Sequence, residues 1–310
     1  MASKSRVLIF GATGYVGRHI AKASLNAGHP TFLFVRPDVA FSVDKVRLIM
    51  SLKNDGALLC KGSFEDYASL VDAIKKADIV VSALGADNLL DQLKIIDAIK
   101  EVGGIKRFLP SEYGMDPDHP RLLETPSPGG KIFKDKREVR RAVEKAGIPY
   151  TYVSANCLAG YFLSGLAEFG LFMPPQEQVH IYGDGNTKAV WVMEEDVANY
   201  IMHSIEDPRA INSTIYIRPP TNVLSQNEVV SIWESLSGVP LHKIHIKESQ
   251  WLKDTEEVLD TNLKIAMQHF HPVFYLGVCC DFEVKDEVEA SHLYPHVNYK
   301  SARAYLQAFL

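Results

Sequence analysis

Short apolar runs alternate with longer amphipathic segments through the first half of the chain. We predict strands at 6–10, 31–35, 57–61, 78–83, 106–110 and 149–154. The segments between them have helical periodicity and predict helices at about 15–27, 42–55, 66–76, 89–102 and 130–146. Strands that alternate with helices form a parallel sheet covered by helices. This order therefore predicts an α/β fold with a doubly wound parallel (Rossmann) sheet, made of two halves of three strands each.

The pattern changes after residue 155, where stretches rich in glycine and proline separate shorter elements. We predict helices near 194–206, 225–237 and 248–258, and strands near 188–193, 214–218 and 242–246. This change divides the chain into a dinucleotide-binding domain, 1–155, and a smaller, interleaved C-terminal substrate-binding region, 156–310. Some of the later elements are expected to return to the first domain.

A glycine-rich turn follows the first predicted strand directly. Gly11, Gly14 and Gly17 have G-x-x-G-x-x-G spacing, and a predicted helix follows them. Glycine permits the tight turn and the close approach of a pyrophosphate, while the helix N-terminus attracts the anion. The alternative is a purely structural turn, but the position between a strand and a helix favours a cofactor site. The candidate residues are Gly11, Ala12, Thr13, Gly14, Tyr15, Val16 and Gly17.

The second predicted strand ends at Arg36, where an NAD-binding fold would have an acidic residue. An arginine suits the 2′-phosphate of NADP, and Lys45 supplies a second positive charge. The pattern favours NADPH, although both side chains could be ordinary solvated cations. Ser82 and Ala83 end the fourth strand, where the backbone usually passes the cofactor. Asn156 and Cys157 end the sixth and are predicted to border the nicotinamide, with loop packing as the alternative.

Composition narrows the class of protein. The chain has 310 residues, of which 46% are hydrophobic and 23% are charged, as in a globular protein with a large core. The formal net charge of −5 argues against nucleic acid or an anionic membrane as the main partner. No segment approaches the roughly 20 apolar residues that cross a bilayer. The N-terminus leads directly into the first predicted strand, so we expect a cytoplasmic protein. The spacing of the cysteines and histidines predicts no metal site.

The proton-transfer pair of many oxidoreductases with this cofactor fold is missing. That pair is a tyrosine with a lysine four residues later, and none of the thirteen tyrosines has it. The common alcohol-dehydrogenating mechanism is therefore not expected.

Several longer motifs, together with the glycine turn and Arg36, resemble the isoflavone reductase-like family of plants. They are Lys106–Gly114, Asp135–Arg141, Ile148–Val153, Ser154–Cys157, Ile181–Asn186 and Glu289–Pro295. The resemblance covers essentially the whole chain. It implies an NADPH-dependent enzyme that reduces phenols derived from phenylpropanoids, and it makes a homodimer plausible.

By this resemblance Lys136 has the position of the family's catalytic lysine. A neutral lysine in a dry pocket can take the proton of a phenol, which requires that its pKa fall from about 10.4. Arg140 lies one helical turn later and could lower that pKa and hold an anionic oxygen of the substrate. The alternative is that these are two of the many solvated cations of a very basic helix. His269 and His271 are further candidates for hydrogen bonds to the substrate, or else structural histidines.

The expected reaction is the reduction of benzylic ethers, with a lignan such as pinoresinol or lariciresinol, or a phenylcoumaran neolignan, as substrate. The loop at 84–92 is shorter than is usual in pinoresinol–lariciresinol reductases, which leaves the substrate open. A eugenol or isoeugenol synthase-type or isoflavone reductase-type enzyme is the alternative. A non-catalytic NADP-sensing regulatory protein is the alternative from a different class.

Overall fold

The apolar runs of the first half form a five-stranded parallel sheet. In the computed structural model, which describes residues 4–310, its strands are β1 (Val7–Phe10), β2 (Thr31–Val35), β3 (Leu58–Lys61), β4 (Ile79–Ser82) and β5 (Arg107–Leu109). Their order is β3-β2-β1-β4-β5, and neighbouring strands are parallel. The winding reverses between β1 and β4, where a doubly wound fold binds its ligand. The predicted fold class is confirmed.

The remaining strands form small sheets of two or three strands. They are β6 (Thr151–Ser154), β7 (Cys157–Leu158), β8 (Gln178–Tyr182), β9 (Lys188–Val192), β10 (Ser213–Tyr216), β11 (Val223–Ser225) and β12 (His242–Ile246). β6 pairs with β10, β9 lies between β11 and β7, and β8 pairs with β12.

The helices alternate with the strands in the first half of the chain and follow them less regularly in the second. They are α1 (Gly17–Asn26), α2 (Val43–Asn54), α3 (Tyr67–Ile74), α4 (Gln92–Val102), α5 (Gly129–Lys145), α6 (Ala159–Phe162), α7 (Glu194–Ser204), α8 (Gln226–Ser237), α9 (Glu248–Glu257), α10 (Thr261–Phe274), α11 (Ala290–Leu293) and α12 (Ala302–Leu306). Within the described range 4–310, no helix has the length and apolar character that a membrane crossing requires.

The sixth apolar run joins the main sheet less fully than expected. A single bridge links Phe108 of β5 to Tyr150, next to a 2.8 Å hydrogen bond from the Phe108 amide to the Pro149 carbonyl. Proline has no amide hydrogen to donate, so this ladder cannot extend through Pro149. The second half of the sheet therefore has two strands and a bridge, where three strands were expected.

The chain divides into two compact units. The first contains the residues through Tyr113 together with Asp135–Val153 and Val197–Ile215. The second contains Gly114–Lys134, Ser154–Asp196 and Tyr216–Leu310. The division differs from a single boundary at 155, because the chain passes between the units several times. Such crossings leave no mark on local composition.

The core of the first unit fixes the orientation of α5. Val139 and Val143 of this helix are buried in one apolar cluster with Phe108 of β5 and Ile95 of α4. Residues spaced by three and four positions share one face of a helix. The face that carries Val139 and Val143 therefore also carries residues 136 and 140.

An aromatic cluster forms the core of the second unit. The ring of Tyr182 at the end of β8 lies 5.1 Å from Phe274 and 5.0 Å from Trp251. Phe270 packs between them and stacks on Phe162, at 4.8 Å between ring centroids. These contacts hold α9 and α10 against β8.

Candidate active site

Two glycines of the turn are packed too tightly for a side chain. Gly11 has a φ of +79°, and a Cβ there would collide with the carbonyl oxygen of Ala83. A Cβ on Gly17 would collide with the Gly11 carbonyl oxygen, because the start of α1 lies directly against the turn. The Gly14 amide closes the turn with a 2.9 Å hydrogen bond to that same oxygen. Glycine is required at the first and third positions for steric reasons.

The start of α1 is suited to an anion. Its first turn has no acidic residue, and no side chain caps it within the described part of the chain. The Arg18 and His19 amides donate to the Gly14 and Val16 carbonyl oxygens, and the helix dipole adds partial positive charge at this end.

A cavity of about 190 Å³ lies beside this turn at the carboxyl ends of the strands. It brings together most of the predicted cofactor residues, which are Gly11, Ala12, Thr13, Gly14, Arg36, Lys45 and Ala83. Arg36 also forms an ion pair with Asp38, at 3.1 Å between Nη2 and Oδ2. A turn with glycine at three positions, a helix N-terminus and two cations fit the pyrophosphate and 2′-phosphate of NADPH.

The other predicted cofactor residues of this unit lie around the cavity without lining it. Tyr15 and Val16 complete the turn, and Gly17 begins α1. Ser82 is fully buried at the end of β4. Its Oγ is a buried polar atom without a hydrogen-bond partner within residues 4–310, while its carbonyl oxygen accepts a 2.8 Å hydrogen bond from the Tyr113 hydroxyl.

Lys136 lies on the buried face of α5 with its amine held by the main chain. Nζ donates a 2.7 Å hydrogen bond to the carbonyl oxygen of Glu112, just after β5. Burial lowers the pKa of Lys136 to about 8; the Glu112 carboxylate opposes this change and the Arg140 guanidinium adds to it. A lysine with this pKa has a substantial neutral fraction near neutral pH and can act as a general base.

Arg140 is buried and paired with Glu112. Its Nε and Nη2 donate to the two carboxylate oxygens of Glu112 at 2.6 and 2.5 Å, and both side chains are 2% exposed. The guanidinium carbon also lies 4.4 Å from the centre of the Tyr152 ring. These contacts favour a structural role for Arg140, and its contact with an anionic oxygen of the substrate stays a prediction.

Asn156 and Cys157 belong to the second unit. Asn156 has a φ of +54°, its amide donates to the Gly114 carbonyl at 3.1 Å, and its Nδ2 donates to the Ile217 carbonyl at 3.0 Å. Cys157 is fully buried in β7 with its Sγ 3.9 Å from that of Cys279. These contacts favour the structural alternative for both residues.

The two candidate histidines of α10 have different surroundings. The ring of His269 lies 4.7 Å from that of Phe133, and its Nε2 is 3.2 Å from the Gly129 carbonyl oxygen. His271 pairs with Glu248, at 2.8 Å between Nε2 and Oε1. It also lines a cavity of about 430 Å³ within the second unit. His271 is therefore the more accessible of the two for a ligand.

Sequence reasoning gave no role to Glu112 or Tyr113, although both lie in a motif that it singled out. Glu112 contacts Lys136 and Arg140 through different atoms. Tyr113 has a φ of +33°, an uncommon conformation for a residue with a side chain. The available signal was an acidic residue three positions after a buried strand, where an unpaired charge is costly.

Comparison with known proteins agrees with this geometry. The profile of the NmrA-like family matches residues 3–306. A bifunctional pinoresinol-lariciresinol reductase from Forsythia intermedia is 49% identical over 99% of both chains. A solved structure of AtPrR2 with NADP+ and (+)pinoresinol is 43% identical with a TM-score of 0.97 and covers 100% of both chains. A structure from work on pinoresinol-lariciresinol and phenylcoumaran benzylic ether reductases is 48% identical with a TM-score of 0.95, also over 100% of both.

These similarities extend from the glycine turn through the C-terminal motif and confirm the resemblance to isoflavone reductase-like proteins. The chain belongs to the NmrA-like family.

Proposed function

We propose that this protein is an NADPH-dependent reductase that opens benzylic ethers of lignans, with pinoresinol and lariciresinol as its substrates. The observation that carries the proposal is the amine of Lys136, which burial brings to a pKa of about 8 and a main-chain carbonyl holds in place. The relatives named for these two lignans match over the full chain, and one solved relative holds NADP+ and (+)pinoresinol.

Lys136 acts on the free phenol of the substrate. In the neutral amine one N–H donates to Glu112 and the lone pair is available for the phenolic proton. Once Nζ takes that proton, electrons from the phenolate oxygen move through the ring, the benzylic C–O bond breaks, and a quinone methide and an alkoxide form. When bound, NADPH supplies the hydride that adds to the benzylic carbon. The ring oxygen regains its phenolate character; the Lys136 ammonium returns one proton and solvent supplies the second, so that both the phenolate and the alkoxide are neutralised.

We assign the cofactor to the turn Gly11–Gly17, with Arg36 and Lys45 at the 2′-phosphate and Ala83 beside the turn. A phosphate carries more negative charge than the ribose hydroxyl it replaces, so two cations at this end select NADPH over NADH. Ser82 supports this site through its buried position at the end of β4, and His271 is the candidate for a contact with the substrate.

A substrate screen tests the proposal. Purified protein is incubated with NADPH and, in separate reactions, with pinoresinol, lariciresinol, a phenylcoumaran neolignan, an isoflavone or coniferyl acetate, and the products are identified. We expect turnover of the lignans. Turnover of coniferyl acetate alone would assign the eugenol synthase type, and turnover of the isoflavone alone the isoflavone reductase type. Tight NADPH binding without reduction of any phenol would favour a regulatory sensor.

The homodimer, the cytoplasmic location and the absence of nucleic acid among the partners stay predictions. Light scattering of the purified protein measures the first, and fractionation of cells that express the tagged chain measures the second. Gel shift at physiological salt measures the third.

A further inference from the structure

One loop residue contacts two cations of the same helix through different atoms. The Glu112 carboxylate accepts both N–H bonds of the Arg140 fork, while the Glu112 main-chain carbonyl accepts the bond from Lys136 Nζ. Lys136 and Arg140 are four positions apart and share one face of α5. The loop after β5 is therefore fixed to the helix at two adjacent points.

The residues on either side of Glu112 hold its carbonyl in place. The Ser111 amide donates to Gln92 Oε1 and its hydroxyl donates to the Leu84 carbonyl, both at 2.7 Å. On the other side, the hydroxyl of Tyr113 is tied to the end of β4. Each of these three residues is buried. The carbonyl that contacts Lys136 consequently belongs to a rigid segment.

Tyr152 contacts Arg140 on the side opposite Glu112. Its guanidinium lies over the Tyr152 ring, and the Tyr152 hydroxyl donates to the Arg140 carbonyl at 3.1 Å. The same hydroxyl is 3.2 Å from Glu144 Oε1. The charged and titratable groups around Lys136 are thus Glu112 from the loop and Arg140 from the helix, with Tyr152 and Glu144 in the next layer.

We propose that Glu112 and Arg140 form a positioning pair for Lys136, in which the ion pair holds the Glu112 carbonyl against Nζ and cancels the acidic charge that would otherwise keep the amine protonated. Because Arg140 neutralises the Glu112 carboxylate, this carboxylate can lie near Lys136 without favouring the ammonium form of the lysine.

Charge balance explains why both members are needed. A neighbouring carboxylate favours the charged form of a lysine, and a neighbouring cation disfavours it. The two effects on Lys136 oppose each other, which leaves burial as the dominant influence on its pKa. Loss of Arg140 would leave a buried carboxylate beside the amine, whereas loss of the Glu112 charge would leave a buried cation. The two losses therefore change the pKa of Lys136 in opposite directions.

Titration of the Lys136 amine by NMR tests this directly. Lysine side chains are labelled with ¹⁵N and ¹³C, the Lys136 signal is assigned as the one that disappears in Lys136→Met, and its pKa is measured in each variant. We expect a lower pKa in Glu112→Gln, a higher pKa in Arg140→Gln and an intermediate value in the double variant. Arg141→Gln removes an exposed guanidinium next in sequence, with a side chain 58% exposed, and is expected to leave the pKa unchanged.

Loosened packing would move the Lys136 pKa upward in all three variants, and that result, or no change in any of them, overturns the proposal. If Arg140→Gln fails to fold, the other two variants still test the proposal, because the Lys136 pKa in Glu112→Gln must be lower than in the double variant. The base role of Lys136 rests on the proposed function, but the titration needs no turnover. Opposite pKa changes in a protein that reduces none of the phenols would therefore uphold the pair and reject the function.

Discussion

The neutral form of Lys136 predicts how turnover changes with pH. A general base works in its deprotonated form, so activity rises as pH passes upward through its pKa. With a pKa of about 8, about a tenth of the amine is neutral at pH 7 and about nine tenths at pH 9. We therefore expect kcat/KM to increase about tenfold over this interval and to level off at its upper end.

An unburied lysine would behave differently. With its pKa near 10.4, kcat/KM would rise about 100-fold over the same interval without levelling, and the neutral fraction at pH 7 would be about 200-fold smaller than for the buried amine. The shape of the profile, rather than its absolute height, thus distinguishes the two environments.

The assay follows NADPH oxidation by absorbance with (+)-pinoresinol below its KM, at constant ionic strength, from about pH 6.5 to 9. Two buffers that overlap in range control for buffer effects. A control variant, Lys134→Ala, removes an exposed lysine from the same helix and should reproduce the wild-type profile. A flat profile, or one that still rises tenfold per pH unit at pH 9, would refute the reasoning.

Three substitutions extend the test to the rest of the site. Lys136→Ala is expected to reduce turnover by about 10²–10⁴-fold while the Kd for NADPH stays unchanged, with Lys134→Ala again as the control; near-normal turnover would remove the proposed base. Arg36→Glu is expected to weaken NADPH more than NADH in a fluorescence titration, and equal losses would contradict its place at the 2′-phosphate. Gly17→Ala puts a methyl group into the carbonyl of the turn's first glycine, so we expect a loss of about 1–3 kcal/mol in unfolding free energy and weaker NADPH binding. An unchanged melting temperature with normal binding would show that the turn can relax.

The main sheet was predictable because each of its strands is a short apolar run between helical segments. β4 (Ile79–Ser82) lies inside the predicted 78–83, and β2 agrees at both ends. The helices and strands of the second unit were harder to predict from the sequence pattern. α10 was not predicted, although Asp260 caps it by accepting from the Leu263 amide, because Pro272 lies inside the helix and obscures its end. The alternation of apolar and polar residues in β8 is too short to distinguish a strand from a loop. Its pairing with β12 is visible only in the structure.

The cofactor half of the site could be predicted for a related reason. Its specificity lies in residues that are close in sequence, since Gly11, Gly14 and Gly17 belong to one turn and Arg36 ends the next strand. Local spacing therefore predicts three-dimensional proximity, and the cavity that contains most of these residues is the outcome. The helix that carries Lys136 lies far along the chain, and only the resemblance to a family selected this lysine among many cations.

Arg140 shows where local spacing stops being informative. A separation of four residues predicts that Lys136 and Arg140 share a face of α5, but it does not identify what that face meets. The answer is a carboxylate 28 positions earlier in the chain. A buried guanidinium without a partner costs several kcal/mol, so a cation on the core side of a helix requires an acid. The buried carboxylate of Glu112, in the loop after β5, likewise requires a cation. Either charge taken alone is compatible with an exposed side chain. The buried apolar residues near both, Phe108 before Glu112 and Val139 beside Arg140, indicate instead that the two charged side chains lie in the interior. Matching buried charges of opposite sign across the predicted core is therefore the inference that would have found this pair.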